Sequence, residues 1–278
     1  MTELLLVAVL ATNITWHDAA RNRDVPVRIY APEKITAPVP LIVFSHGLGG
    51  TREGYAYLGQ YWASNGFICV HVQHLGSDDA VWRGSTNKLT TMRRAVTNAD
   101  NWRDRPRDVS FAITQMLRDP RVNTNAIGVA GHSFGAHTTL EILGLRVAGE
   151  SFRDPRVKAA ISMSSPRPPS GQVFSDIATP CLHLTGTKDD SLIVNTTAKD
   201  RRFAFDHIAG PGQWLVTLKD ANHMTFAGLG EAKHHDLIRQ ITTEFWNAFL
   251  KNDPKAKSWL AGEGLEKLVG TDAVVERK

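Results

Sequence analysis

Apolar residues recur along this chain in two rhythms, and each rhythm predicts a kind of element. Short, largely apolar runs at Leu41-Ile42-Val43-Phe44, Gly66 to Val72, Ala126 to Ala130, Val157 to Met163, Cys181 to Thr185 and Trp214 to Leu218 have the length of strands buried on both faces. Between them, apolar positions return at helical spacing. A helix is predicted from about Tyr55 to Ser64, and another from about Pro106 to Arg118, with Val109, Ile113, Met116 and Leu117 on one face and Pro106 in its first turn. A third leaves residue 133 with Leu140, Ile142 and Leu143 as its apolar face, and Gly228 to Leu250 reads as a closing helix, with Leu237, Ile241, Phe245 and Phe249 facing inward. Strands alternating with helices predict an α/β fold, a mostly parallel central sheet with helices on both faces. Leu4 to Trp16 and Val25 to Tyr30 flank the polar turn Asp18 to Asp24 and predict an antiparallel N-terminal hairpin.

Three stretches carry no rhythm. Gln73 to about Asn101 is long and polar, with Trp82, Met92 and Trp102 as its large apolar groups, and reads as a loop at the edge of the sheet. Trp82 and Trp102 are candidates to wall a substrate pocket; equally, they pin the loop to the core. Ser164 to Thr179 holds Pro166, Pro168 and Pro169, which exclude a helical lid and leave a lightly covered site. The charged tail from residue 254 to 278 reads as a short surface helix without chemistry.

At 278 residues and 42% hydrophobic content the chain suits one domain, 1–278, with a core over about 13–250. A net charge of +4 with scattered basic residues gives no footprint for nucleic acid. Cys69 and Cys181 lie in apolar runs, so neither a disulfide framework nor a zinc site follows, and the eleven histidines lack metal-ligand spacing. The run Leu4 to Ala11 is too short to cross a membrane, and no stable membrane insertion is expected. Glu3 precedes it and no Lys or Arg does, which favours a first strand and a cytoplasmic chain; were residues 1–12 a signal-peptide remnant, the protein would be secreted or periplasmic.

The chemistry gathers at strand ends. Gly131-His132-Ser133-Phe134-Gly135 joins a strand to a helix and has the form of a nucleophile elbow, with Ser133 as nucleophile. Ser45-His46-Gly47-Leu48-Gly49-Gly50 follows the Leu41 strand, and its backbone offers Leu48 N–H as one oxyanion donor, with Phe134 N–H as the second. His46 fits an orienting or core role. Gly186-Thr187-Lys188-Asp189-Asp190 ends another strand and supplies an acid, Asp189 first and Asp190 in reserve. His223 follows the last strand, so that Ser133, Asp189 and His223 appear in nucleophile, acid, base order.

With these motifs in place, residues 13 to 250 resemble the α/β-hydrolase superfamily, and within it the lid-poor esterases: dienelactone-hydrolase-like proteins, platelet-activating-factor acetylhydrolases and polyester hydrolases. Dienelactone hydrolases differ in using cysteine where Ser133 stands. The acetylhydrolases are similar at both glycine-rich motifs but place their acid after the preceding strand, where this chain has Ser162 and Ser164. The polyester hydrolases show an aromatic residue where Ser165 and Pro166 stand. The resemblance implies a serine carboxylic-ester hydrolase that needs no cofactor or metal and acts through an acyl-enzyme on small to medium esters. A polymeric or lipid-acyl ester, acyl transfer, peptide hydrolysis and a catalytically silent binding protein are the other readings; the sequence sets no oligomeric state.

Overall fold

The computed structural model describes residues 8–278 except 169, 192 and 194. Residues 4–7 of the Leu4–Ala11 run and Pro169 of the proline-rich connection therefore lie outside the described residues. The chain opens with β1 (Val9–Asp18) and β2 (Arg23–Pro32), paired antiparallel from Val9 opposite Pro32 to Asp18 opposite Arg23. It continues through β3 (Val39–Ser45), α1 (Ala56–Ser64), β4 (Ile68–Val72), α2 (Lys88–Thr97), α3 (Ala99–Met116), β5 (Val122–His132) and α4 (Phe134–Leu143). A two-residue pair, β6 (Arg146–Val147) and β7 (Glu150–Ser151), precedes β8 (Val157–Met163) and β9 (Cys181–Lys188). Then come α5 (Phe203–His207), β10 (Gln213–Asn222), α6 (Ala232–Phe249), α7 (Pro254–Ala261), α8 (Gly264–Val269) and β11 (Ala273–Arg277).

Nine strands form one sheet in the order β1-β2-β4-β3-β5-β8-β9-β10-β11. From β4 to β10 the pairing is parallel, and both ends are antiparallel. The two-residue side-chain period of a strand divides the core. Along β3, Ile42 and Phe44 face Trp62 of α1 and Trp246 of α6, whereas Leu41 and Val43 face Ile113 of α3 and Leu140 of α4. Both faces are thus covered, and the carboxyl ends of the parallel strands are left to carry a site. No described helix is long and apolar enough to cross a membrane.

Three regions differ from the sequence expectation. The supposed loop over residues 73–101 contains α2, whose Asn87 side chain accepts the Thr90 N–H at 3.1 Å; Ala95 is its one buried residue, so it has no apolar stripe to read. Helix α3 begins at Ala99, not Pro106, because the Asn98 side chain caps it through Asp100 N–H at 3.0 Å. Pro106 therefore sits inside the helix, where it has no N–H to donate to the Trp102 carbonyl one turn earlier. The tail is two helices and a strand rather than one surface helix. Ala256, Leu260, Leu265 and Val269 join the core, and β11 pairs antiparallel with β10, so the core runs past residue 250.

Burial also fixes the charge state of several histidines. Removal from water pulls His71 and His183 down to about 4. Both groups bind protons in the unfolded chain before they do so in the fold. Stability is therefore retained above the ordinary histidine value and lost as pH falls from about 6.5 to about 4, by about 3 kcal/mol for each. Urea midpoints measured at pH 7.5, 6 and 4.5 should fall progressively below pH 6.5; a midpoint constant over that range would contradict the buried neutral assignment.

Candidate active site

The site begins with a backbone bend. Strand β5 runs into Ser133, which adopts φ 55° and ψ −117°, and α4 starts at the next residue. Such angles are strained for a side-chain-bearing residue, and neighbours hold them in place. The Ser133 N–H donates to the Met163 carbonyl at 2.9 Å, and its own carbonyl accepts from Ala136 N–H at 2.9 Å. On either side the backbone passes other chain segments with no room for a methyl group. A Cβ at Gly131 would lie 2.1 Å from the Gly135 carbonyl oxygen, and one at Gly135 would lie 1.9 Å from that of Ser45.

Two more strand ends deliver side chains to this serine. Strand β10 ends at Asn222, whose side chain accepts from Met224 N–H at 2.9 Å and Thr225 N–H at 3.2 Å, turning the chain into a short 3₁₀ segment that starts at His223. The His223 ring places Nε2 3.0 Å from Ser133 Oγ and Nδ1 2.8 Å from Asp189 Oδ1. Asp189 is fully buried just after β9, and its Oδ2 accepts from Ser164 Oγ at 2.5 Å and Thr185 Oγ1 at 2.9 Å. Ser164 occupies the place where the acetylhydrolase resemblance would set an acid; here it supports the acid instead. Asp190 faces away and accepts the Ala198 N–H at 2.8 Å.

One neighbour escaped the sequence reading. Arg201, from the 3₁₀ segment Ala198–Arg202, is buried with its Nε 3.1 Å from the Asp189 carbonyl and 3.3 Å from Asp189 Oδ1. Its Nη1 donates to the Ser164 carbonyl at 2.9 Å, and its Nη2 lies 3.2 Å from His223 Nδ1. Ala198 to Arg202 reads as a solvated charge run, and nothing in that pattern marks one guanidinium as buried.

The glycine-rich loop after β3 is tied to the same centre. Gly47 N–H donates to the Tyr55 hydroxyl at 3.1 Å, and that hydroxyl donates to His132 Nδ1 at 2.8 Å. The other ring nitrogen, Nε2–H, donates to the His223 carbonyl at 3.0 Å. Burial, with the neighbouring His223 and Arg201, holds His132 well below the usual imidazole range, so it stays neutral. Burial pushes the Tyr55 phenol up to about 12 and keeps it a hydroxyl. His46, read as an orienting residue, donates Nδ1–H to the Gly47 carbonyl at 2.6 Å and accepts His74 N–H at 3.1 Å. Beneath the loop, the fully buried Arg105 bonds Ser45 Oγ, Ser77 Oγ and Thr138 Oγ1 at 2.8–3.0 Å, and also the His46 carbonyl. In the loop itself, Gly49 N–H is taken by the Ser77 carbonyl and Gly50 N–H by the Gly47 carbonyl. Leu48 lies between these engaged amides, while Phe134 opens α4, where backbone N–H groups have no helical acceptor.

Ser133 and His223 open into a cleft of about 610 Å³ that Leu48, Trp82, Met92 and Trp102 help to line. Trp82 Nε1–H donates to the Gly49 carbonyl at 2.8 Å, and Trp102 Nε1–H to that of Val96 at 2.5 Å. The two tryptophans therefore both wall the cleft and pin its cover. Helix α2 supplies that cover through Lys88, Met92 and Val96, whereas the 164–179 connection forms only the 3₁₀ turn Gly171–Phe174 among its described residues. A second chamber of about 430 Å³ shares Trp102 and Pro166 with the first. Among the described residues no His, Cys, Asp or Glu cluster could hold a metal ion, and Cys69 and Cys181 are free and buried.

The sheet order, the N-terminal hairpin and the strand-to-helix bend at Ser133 define an α/β-hydrolase fold. Within that class, the chain is similar to the platelet-activating factor acetylhydrolase group of esterases. The family described as platelet-activating factor acetylhydrolase, isoform II, matches residues 1–102. The platelet-activating factor acetylhydrolase of Cavia porcellus is 25% identical over 217 residues, a match covering 64% of this chain and 47% of that protein. That of Bos taurus is 26% identical over 187 residues, covering 54% and 40%. The matched region thus spans less than half the length of either relative.

Two substitutions test this local construction. Gly135→Ala forces a Cβ onto the Ser45 carbonyl and should lower stability by about 3 kcal/mol or more, read as a fall in the urea midpoint. Tyr55→Phe leaves Gly47 N–H and His132 Nδ1 without their partner and should cost about 1–3 kcal/mol in the same measurement. Midpoints equal to wild type would mean that the bend and the loop are not held as described.

Proposed function

We propose that this chain is a serine carboxylic-ester hydrolase, carried by one domain, in which Ser133, His223 and Asp189 form the catalytic triad. The observation that supports it most is the single imidazole within hydrogen-bonding distance of both the serine hydroxyl, at 3.0 Å, and the buried carboxylate, at 2.8 Å. With Asp189 accepting Nδ1–H, the lone pair of Nε2 faces Ser133 Oγ, the tautomer that general-base catalysis requires. His223 takes the serine proton as Oγ attacks the ester carbonyl. The oxyanion is held by Leu48 and Phe134 N–H. Collapse expels the alcohol, which receives its proton from His223, and water then repeats the sequence to release the acid. None of these steps calls for a metal or a cofactor.

The relatives are named for removing an acetyl group from platelet-activating factor, and we carry over the class of short acyl esters on an amphiphilic alcohol. The apolar cleft walls fit such a substrate, with Trp82 and Trp102 as contact surfaces. Acyl transfer, peptide hydrolysis and a silent binding role have no comparable support. A p-nitrophenyl ester chain-length series provides the test. Ser133→Ala should lower kcat by about 10³-fold or more and Asp189→Asn by about 10²-fold or more, while Asp190→Asn remains within about twofold of wild type. Wild-type activity in Ser133→Ala, with its melting temperature unchanged, would reject the assignment.

A further inference from the structure

Arg201 is the one feature of this centre that a serine, a base and an acid do not by themselves require. Its guanidinium is fully buried, and it touches both ends of the acid–base contact: Nε lies 3.3 Å from Asp189 Oδ1, and Nη2 lies 3.2 Å from His223 Nδ1. Asp189 Oδ1 is therefore shared between the imidazole and the guanidinium, while Oδ2 is filled by Ser164 and Thr185. The two neighbours of Nδ1 act in opposite senses. A carboxylate accepts from Nδ1–H, whereas a guanidinium has donors alone and can bond to Nδ1 only when that nitrogen has lost its proton. The carboxylate contact is the shorter, so the resting tautomer keeps Nδ1–H.

The charges follow from the same geometry. Arg201 and Asp189 form an ion pair at 3.3 Å beside His223. A proton on the part-exposed His223 ring would place a second positive charge beside the buried guanidinium, 3.2 Å from its Nη2, where like charges repel. From the end of β5, His132 lies with its ring centre 4.7 Å from that of His223 and is neutral; behind it, from α1, Tyr55 is an uncharged hydroxyl. Ser133, Ser164 and Thr185 are uncharged, and Phe134 on α4 is apolar. Asp190 and Asp200 act on the guanidinium from outside the triad.

We propose that Arg201 is a positioning residue that, acting through Asp189 and His223, opposes protonation of the imidazole and sets the acid side of the reaction's pH dependence. Asp189 then serves chiefly to fix the tautomer and the ring orientation. The guanidinium holds one oxygen of the buried carboxylate and sets a like charge against a protonated imidazole. The inference rests on the catalytic reading of Ser133 and His223 only for its link to rate.

The test is a histidine NMR titration of His223 in wild type, Arg201→Met and Arg201→Lys, paired with the pH dependence of kcat/KM on p-nitrophenyl acetate. Losing the cation removes a like charge, so the imidazole of Arg201→Met should titrate about one unit or more above wild type, and the acid limb should move to higher pH by the same amount. Arg201→Lys keeps the charge and should stay near wild type in both. If Arg201→Met does not fold, Arg201→Gln replaces it, since its amide retains a donor for the Asp189 and Ser164 carbonyls. A folded neutral variant whose His223 titrates with wild type, or a lysine variant that shifts as the neutral one does, overturns the inference. A shifted titration without ester cleavage in any form upholds the effect on His223 and rejects the esterase reading.

Discussion

The elbow backbone passes so close to the end of β3 that positions 131 and 135 have room for a hydrogen and nothing larger. At Gly135 the obstacle is the Ser45 carbonyl, which belongs to the strand that also launches the Gly47-Leu48-Gly49-Gly50 loop. This single contact sets the distance between the bend that presents Ser133 and the loop that carries Leu48. Because strands β3 and β5 are neighbours in register, Ser45 opposite Gly131, the two turns that follow them leave the sheet at one level. A parallel sheet with both faces covered offers few other places for polar groups to meet, and His223 and Asp189 leave β10 and β9 at that same edge.

Hydrogen bonds then join what the backbone has brought near. The run from Gly47 N–H through the Tyr55 hydroxyl and the His132 ring to the His223 carbonyl links four segments of chain, and its direction is fixed because each group has one donor role left. Such networks are stiff when complete and costly when broken, and here Gly47, Tyr55 and His132 are all buried. Around Asp189, four donors converge on one carboxylate, which satisfies the acid but also spreads its charge. A site built this way holds the ring through both the acid and the guanidinium beside it.

Much of this was legible before any coordinates. The apolar runs marked all six parallel strands, because strands buried on both faces have no polar side to blur them, and each motif residue sat a few residues past the end of such a run. Of the two neighbouring acids, Asp189, the first residue past the strand, lies within hydrogen-bonding distance of His223, and Asp190 does not. What escaped has a common cause. Helix α2 has one buried residue and so no stripe; α3 starts at an asparagine cap two turns before the proline that seemed to open it; the tail buries widely spaced residues against a sheet edge; and Arg201 is distinguished from its charged neighbours by tertiary burial alone. Local pattern reports a residue's neighbours in sequence, and these four features depend on neighbours in space.

The central claim is that a proton can pass from the Ser133 hydroxyl to His223 and leave a nucleophile behind. Its most direct measurement is peptide-mapped mass spectrometry after exposure to a fluorophosphonate, a reagent that phosphonylates an activated serine. The account requires one adduct per chain, located on Ser133, and its loss when His223 is replaced by alanine. An unmodified Ser133 in folded protein, or an adduct that persists without the imidazole, would contradict it.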